Sequence, residues 1–243
     1  MSASTRKHNR PGGKGSGTHR EPTEQNEPSR GPFKRLGPGA KLLAGAVAAI
    51  VVLGAIFALS SRDPAGTKRL AGGSGYKFQV GSPGPGQPAP AIDLSGTDGK
   101  SFSLAGARGK NVLLYFQEGI GCQPCWDQIR DIERYMPKLA ALGVDRVVSV
   151  TSDPLDLIKR KVSDEGIKTP VLADPGLVVS KTYSANQFGM MGTSRDGHTF
   201  ILVGPDGRIR WRADYGGPPD FTMYVPVKGL VADLTKGLTA SGS

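Results

Sequence analysis

Cysteine is nearly missing from this sequence: Cys122 and Cys125 are the two in 243 residues, and only two residues separate them. A pair that close staples no distant segments, so a disulfide framework is excluded and the two sulfurs have to act as one local unit. Histidine is almost as scarce, with His8 and His19 near the N-terminus and His198 alone beyond. No second Cys pair or Cys/His partner stands at zinc-finger spacing. Acidic residues are too few to balance the chain, which carries a formal charge of +10. That excess is concentrated up front. Residues 1–41 hold nine Lys/Arg against Glu21, Glu24 and Glu27, whereas the remainder holds 22 against 18. A folded part this close to neutrality presents no basic face legible in the sequence, and nucleic-acid binding loses its main support.

What is present falls into blocks. Residues 1–40 are Gly, Pro, Ser, Thr and charge, with almost nothing apolar before Phe33 and Leu36. Such a segment cannot bury enough surface to offset its ordering entropy, and it is expected to be a disordered basic tail. Leu42 to Leu59 then runs eighteen residues without a charge. That length just crosses about 30 Å of hydrocarbon as a helix, so a transmembrane helix is expected over 41–60. The cations precede it, which places the N-terminus in the cytoplasm and the rest of a single-pass cell-membrane protein outside. A cleaved signal peptide is the competing reading, with Ala58-Leu59-Ser60 supplying small residues after the apolar run, and it exports the same domain. Residues 61–87 read as linker, ending in Gly81-Ser82-Pro83-Gly84-Pro85-Gly86-Gln87.

The folded domain is expected over 88–240. Ala91 to Leu94 and Ser101 to Leu104 flank an Asp98-Gly99 turn, and Asn111 to Phe116 is a short apolar run suited to a central strand. From Gln123 the residues Trp126, Ile129, Ile132, Met136, Leu139 and Leu142 recur at three- and four-residue steps, predicting one amphipathic helix that ends near Gly143. Trp126 belongs to its apolar face. A strand over 144–151, a helix over 154–165, an extended segment at 169–173 and a short helix over 177–183 follow. Strands at 199–203 and 208–213 flank Gly204-Pro205-Asp206-Gly207, and a last helix covers 227–238. No internal repeat is apparent. A βαβ half joined to an antiparallel hairpin and a final helix implies an α/β fold, a mixed sheet flanked by helices.

The order of Pro88-Ala89-Pro90, Gly109-Lys110-Asn111 through Phe116, Cys122-Gln123-Pro124-Cys125 and Thr199 through Gly207 resembles the redoxin family. That thioredoxin-like superfamily includes membrane-tethered thiol-disulfide oxidoreductases and the alkyl hydroperoxide reductase/thiol-specific antioxidant proteins. The resemblance implies a redox enzyme of thioredoxin-like fold that needs no cofactor beyond a redox-active disulfide. Its partners would be protein thiols or disulfides in the extracytoplasmic space.

The residues themselves support that chemistry. A Cys-x-x-C at a helix start sets the first sulfur beside unpaired N–H groups and the positive end of the helix dipole, which stabilises a thiolate. Cys122 is thus expected to attack and Cys125, one turn in, to resolve the mixed disulfide, with Pro124 favouring the first-turn geometry. The Gln-Pro dipeptide does not fix the direction of electron flow. Glu118 is an auxiliary candidate as proton acceptor, weighed against an ordinary solvated carboxylate. His198 precedes the hairpin strand where thioredoxin-like proteins carry a cis-proline, here replaced by Gly197-His198. Copper-delivery redoxins of the Sco type have a similar His-Thr, so a copper-binding metallochaperone using Cys122, Cys125 and His198 is the alternative from a different class. Two thiolates and an imidazole suit copper, with Met190, Met191 and Met223 as further soft ligands. A thiol peroxidase is the third reading. Peroxiredoxin sites resemble Pro-x-x-x-Thr-x-x-Cys, but Gly119 occupies the threonine's place, and Arg195 is the candidate for the distant arginine.

Overall fold

The structure is a computed structural model that describes residues 50–52, 54 and 70–240. The basic tail and most of the expected span lie outside those residues, and among the described residues no helix is long and apolar enough to cross a membrane. The folded unit contains, in order, β1 (Leu70–Ala71), β2 (Lys77–Phe78), β3 (Asp93–Ser95), β4 (Ser101–Ser103), β5 (Val112–Phe116), α1 (Gln123–Arg134) and α2 (Met136–Ala141). It continues with β6 (Arg146–Thr151), α3 (Leu155–Glu165), β7 (Val171–Ala173), α4 (Val178–Thr182), β8 (Thr199–Val203), β9 (Ile209–Asp214) and α5 (Val227–Ala240).

All five residues of β5 are buried. A strand covered on both faces needs apolar side chains at every position rather than alternation, which is why an unbroken Val-Leu-Leu-Tyr-Phe run serves as the centre of the sheet. The five-stranded order is β7-β6-β5-β8-β9. The β5–β6 and β6–β7 pairs are parallel, while β5–β8 and β8–β9 are antiparallel. Successive residues of β5 therefore feed two different cores. Leu113 and Tyr115 pack with Trp126, Ile129 and Ile132 of α1 and with Leu230 and Leu234 of α5. Leu114 and Phe116 face Ile92 and Phe102 from the β3–β4 hairpin, Val179 of α4 and Tyr183. Each such side chain contributes roughly 1.5–3 kcal/mol on burial, so two filled layers fix the register of the sheet.

Two expectations are corrected. The helix after the cysteines is not continuous: α1 ends at Arg134, and Tyr135 serves as both its C-cap and the N-cap of α2. Pro137 supplies the cause, because it has no N–H to offer the Glu133 carbonyl and its ring crowds that turn. The segment 70–87 is also more than a linker. Phe78 is buried in the core, Gln79 bridges Asp214, and the Gly81 N–H donates to Asp214 Oδ2 at 2.7 Å. Arg212 Nη1 donates to the Pro83 carbonyl at 3.0 Å. The composition of 81–88 describes an irregular backbone, but the buried Arg212–Asp214 pair gives that backbone partners.

Candidate active site

Strand β5 delivers the chain to the site. The Gln117 N–H extends the ladder to the Val150 carbonyl at 3.0 Å, and residues 118–121 then turn into α1. Cys122 is the N-cap of that helix, with Pro124 within its first two positions. Its N–H donates to the Gly119 carbonyl at 3.0 Å, the same oxygen that accepts from Trp126 Nε1 at 3.0 Å. Cys122 and Cys125 are joined as a disulfide with Cα atoms 5.3 Å apart. No acidic residue stands in the first turn of α1 and no side chain caps it. The N-cap sulfur thus stands at the positive end of the helix with no acidic side chain in the first turn to compete for it, a placement that favours a thiolate once the disulfide is reduced. Cys125 is fully buried and Cys122 is 7% exposed, and Met223 packs with both in a small apolar cluster.

Behind the disulfide lies a buried polar group. The Tyr115 hydroxyl is 2.9 Å from His198 Nδ1 and 3.5 Å from the Cys125 carbonyl oxygen. Burial pushes the imidazole down to about 3 and holds the phenol well above its ordinary value, the Glu118 charge adding to the latter. The Glu118 carboxylate accepts from the backbone N–H of Met190 and from that of Met191 at 3.2 Å. Asp153 ties the loop from the other side. Its Oδ2 accepts from the Ile120 N–H at 2.7 Å and its Oδ1 from Arg195 Nη1 at 2.7 Å, while the same Arg195 nitrogen lies 3.3 Å from the Glu118 carbonyl. Gly119 sits at φ +90°, and a Cβ there would stand 1.8 Å from Asp153 Oδ2 and 2.4 Å from Thr151 Oγ1.

The AhpC/TSA family model matches residues 85–212, more than half of the chain. The chain belongs to the AhpC/TSA family. Among its relatives is the thiol-disulfide oxidoreductase ResA of Bacillus thuringiensis (strain Al Hakam), 30% identical over 134 residues, which are 55% of this chain and 68% of that one. A peroxiredoxin-type protein of Mycobacterium tuberculosis (strain CDC 1551 / Oshkosh) is 30% identical over 128 residues, 51% of this chain and 81% of the relative. Both relatives are named for redox activities, and this AhpC/TSA chain is a redox enzyme as well. The fold agrees with peroxidoxin BcpB from Mycobacterium tuberculosis at a TM-score of 0.53 and 14% identity, covering 63% of this chain and 97% of that one. It also agrees with Enterococcus faecalis AhpC at a TM-score of 0.52 and 19% identity, covering 64% and 90%.

Within this AhpC/TSA site the sequence candidates fare differently. Cys122, Cys125 and Pro124 stand together at the helix entrance. Glu118, weighed against a solvated carboxylate, is buried and held by two amides. His198 is buried against aromatic rings and hydrogen-bonds Tyr115. Among the described residues no three His, Cys, Asp or Glu side chains are gathered to hold a metal ion, so the proposed copper set of Cys122, Cys125 and His198 is not assembled here. Met190 and Met191 point outward at 60% and 58% exposure, whereas Met223 packs on the sulfurs. Arg195 does reach the loop before Cys122, but it arrives paired with Asp153.

Sequence reasoning missed Tyr115, Asp153 and Asp196, the last a fully buried carboxylic acid next to Arg195 in the chain. Tyr115 left a trace as the one polar-tipped side chain in an apolar strand, which requires a buried partner for its hydroxyl. The two aspartates left none, since a carboxylate in a loop looks the same whether solvated or buried.

Proposed function

We propose that this chain is a membrane-anchored, extracytoplasmic thiol-disulfide oxidoreductase that exchanges disulfides with protein partners through Cys122 and Cys125. The observation that carries the reading is the disulfide closed across the N-cap and first turn of α1, beside an interior strand and free of any competing acidic cap. In the oxidised form a partner thiolate attacks Cys122 Sγ and forms a mixed disulfide. The Cys122–Cys125 bond breaks, and its electron pair leaves on Cys125 Sγ, which takes a proton from solvent. A second partner thiolate then displaces Cys122, so the partner leaves as a disulfide and the protein as a dithiol. In the reverse direction Cys122 is the nucleophile and Cys125 resolves, as their unequal burial favours. The charge run before Leu42 supports the anchored, exported topology.

The peroxidase reading loses ground at Gly119, whose φ of +90° and whose closeness to Asp153 and Thr151 leave no room for the Cβ of a threonine. The deciding experiment uses the full chain, reduced and mixed with a disulfide-bonded protein. Cys125→Ser should accumulate a mixed disulfide at Cys122, and Cys122→Ser should accumulate none. Rapid peroxide consumption by the wild type, with a sulfenate forming at Cys122 in Cys125→Ser, would reverse the ordering.

A further inference from the structure

We propose that Met223 is a specificity-determining shield over the disulfide, excluding small thiols and yielding to a polypeptide that carries its own apolar side chain to the site. The inference rests on the exchange reading and names the class of partner that reading leaves open.

Met223 is buried, yet it belongs to neither of the two large cores. Its cluster of buried apolar groups consists of Cys122, Cys125 and itself. A side chain packed there in place of water protects two sulfurs and little else. The segment that holds it is fastened to the helix bearing Cys125: the Tyr224 hydroxyl donates to Asp131, and the Val225 N–H donates to Gln128 Oε1 at 2.7 Å. The Thr222 N–H donates to the Tyr215 carbonyl at 3.1 Å. Two residues before Met223, Phe221 holds φ at +44° and is 40% exposed as a residue. A non-glycine residue in that region is strained, and a large side chain left partly in water two residues from the one that covers the sulfurs offers a partner apolar surface.

These features select by size. An incoming thiolate must approach Cys122 Sγ in line with the Sγ–Sγ bond, and Cys122 is only 7% exposed. A small dithiol gains no contact from displacing Met223. A polypeptide laying an apolar side chain against Phe221 offsets that displacement, and a methionine, unbranched and flexible, repacks readily. The bond changes are those of the exchange described above, with the polypeptide dithiol oxidised to a disulfide and the protein's disulfide reduced to two thiols.

The test uses the oxidised full chain with two probes, dithiothreitol and reduced, unfolded ribonuclease A, together with the rate at which iodoacetamide alkylates Cys122 after reduction. Met223→Ala should raise the dithiothreitol rate and the alkylation rate by about tenfold, because access enters the rate directly, while the ribonuclease rate changes by less than about threefold. Met223→Leu, which restores the bulk, should match the wild type with both probes. Met223→Val gives an intermediate increase and serves if the alanine variant does not fold. An unchanged dithiothreitol rate in the shortened variants, or equal acceleration with both probes, would overturn the shield while leaving the exchange reading intact. A wild-type disulfide inert to both probes would sink the exchange reading itself.

Discussion

The Tyr115 phenol bridges His198 Nδ1, 2.9 Å away, and the carbonyl oxygen of Cys125, 3.5 Å away. One proton arrangement satisfies both contacts. Nδ1–H donates to the phenol oxygen and the phenol donates to the carbonyl, which leaves Nε2, without a partner, as a bare acceptor rather than a stranded donor. A neutral imidazole therefore orients the phenol that contacts the backbone of the resolving cysteine.

That neutrality makes His198 a source of acid lability. The unfolded chain protonates it near the ordinary value of about 6.5, whereas the folded chain resists until about 3 because the ring is buried. The unfolded state thus binds the extra proton first, and stability falls as pH drops from about 6.5 towards 3, by at most about 1.4 kcal/mol per pH unit from this group. Above that window the contribution is complete. Replacing His198 with Phe should flatten the acid side of a curve of unfolding free energy against pH, relative to wild type. Parallel curves between pH 6 and 4 would show that the imidazole does not titrate as described.

Asp196 works with the opposite sign. Both of its carboxyl oxygens are buried without a hydrogen-bond partner, and the nearby Ser180 hydroxyl is committed to Asp174. Burial, followed by the charges of Asp174 and Asp153, pushes it up to about 8 against a pull from Ser180. The folded state prefers the proton that the unfolded state sheds near its ordinary value, so the native protein loses stability as pH rises from about 4 to about 8. Asp196→Asn, uncharged throughout, should be more stable than wild type at pH 8, by on the order of 1–3 kcal/mol once the amide's own unpaired groups are allowed for. The gain should shrink towards pH 4. Thermal unfolding at a series of pH values checks both the sign and the trend.

The sheet was legible because β5 and β8 are apolar runs and β6 is rich in valine, each closed by Gly, Pro or Asp turns, signals that act within a few residues. The break at Tyr135 was also written in the sequence, as Pro137, but the three- and four-residue periodicity continues through it to Leu142 and masks it. Cys122 and Cys125 could be found because their chemistry depends on local spacing. The polar groups around them could not. Tyr115 and His198 meet only when β5 and the start of β8 are brought side by side, and Asp153 reaches Ile120 and Arg195 only from the loop after β6, so no local pattern encodes either meeting. The packing of 70–87 escaped for the same reason, since Asp214, which holds Gly81, lies 133 residues away.

Arg195 and Asp153 determine how firmly the loop ahead of Cys122 is held. The Asp153 side chain is 6% exposed and the Arg195 side chain 38%, so removing the arginine uncovers a carboxylate that still keeps the Ile120 N–H. Arg195→Ala should cost about 1–2 kcal/mol, below the usual figure for breaking a fully buried pair because solvent reaches the guanidinium. Asp153→Ala should cost more, since it strands both the Ile120 amide and Arg195. Denaturant unfolding of the two variants ranks them, and an Arg195→Ala loss equal to or above that of Asp153→Ala would contradict the ranking.

Gly119 gives the sharpest test of how the site is built. Its φ of +90° disfavours any L side chain, and a Cβ would fall 1.8 Å from the Asp153 carboxylate that anchors Ile120 and Arg195. Relief would require the Asp153 side chain to give up the Ile120 amide and Arg195, or the loop itself to move and displace the Gly119 carbonyl that accepts from the Cys122 amide. Gly119→Ala should therefore destabilise the protein by about 3 kcal/mol or more, from backbone strain and the clash together. Gly119→Thr should be at least as costly and should gain no peroxide turnover, although it restores the residue type of peroxiredoxin sites. The measurements are unfolding free energy and peroxide consumption on the same preparations. A stable threonine variant with new peroxidase activity would mean that the loop adapts around the added side chain and that Asp153 does not fix it.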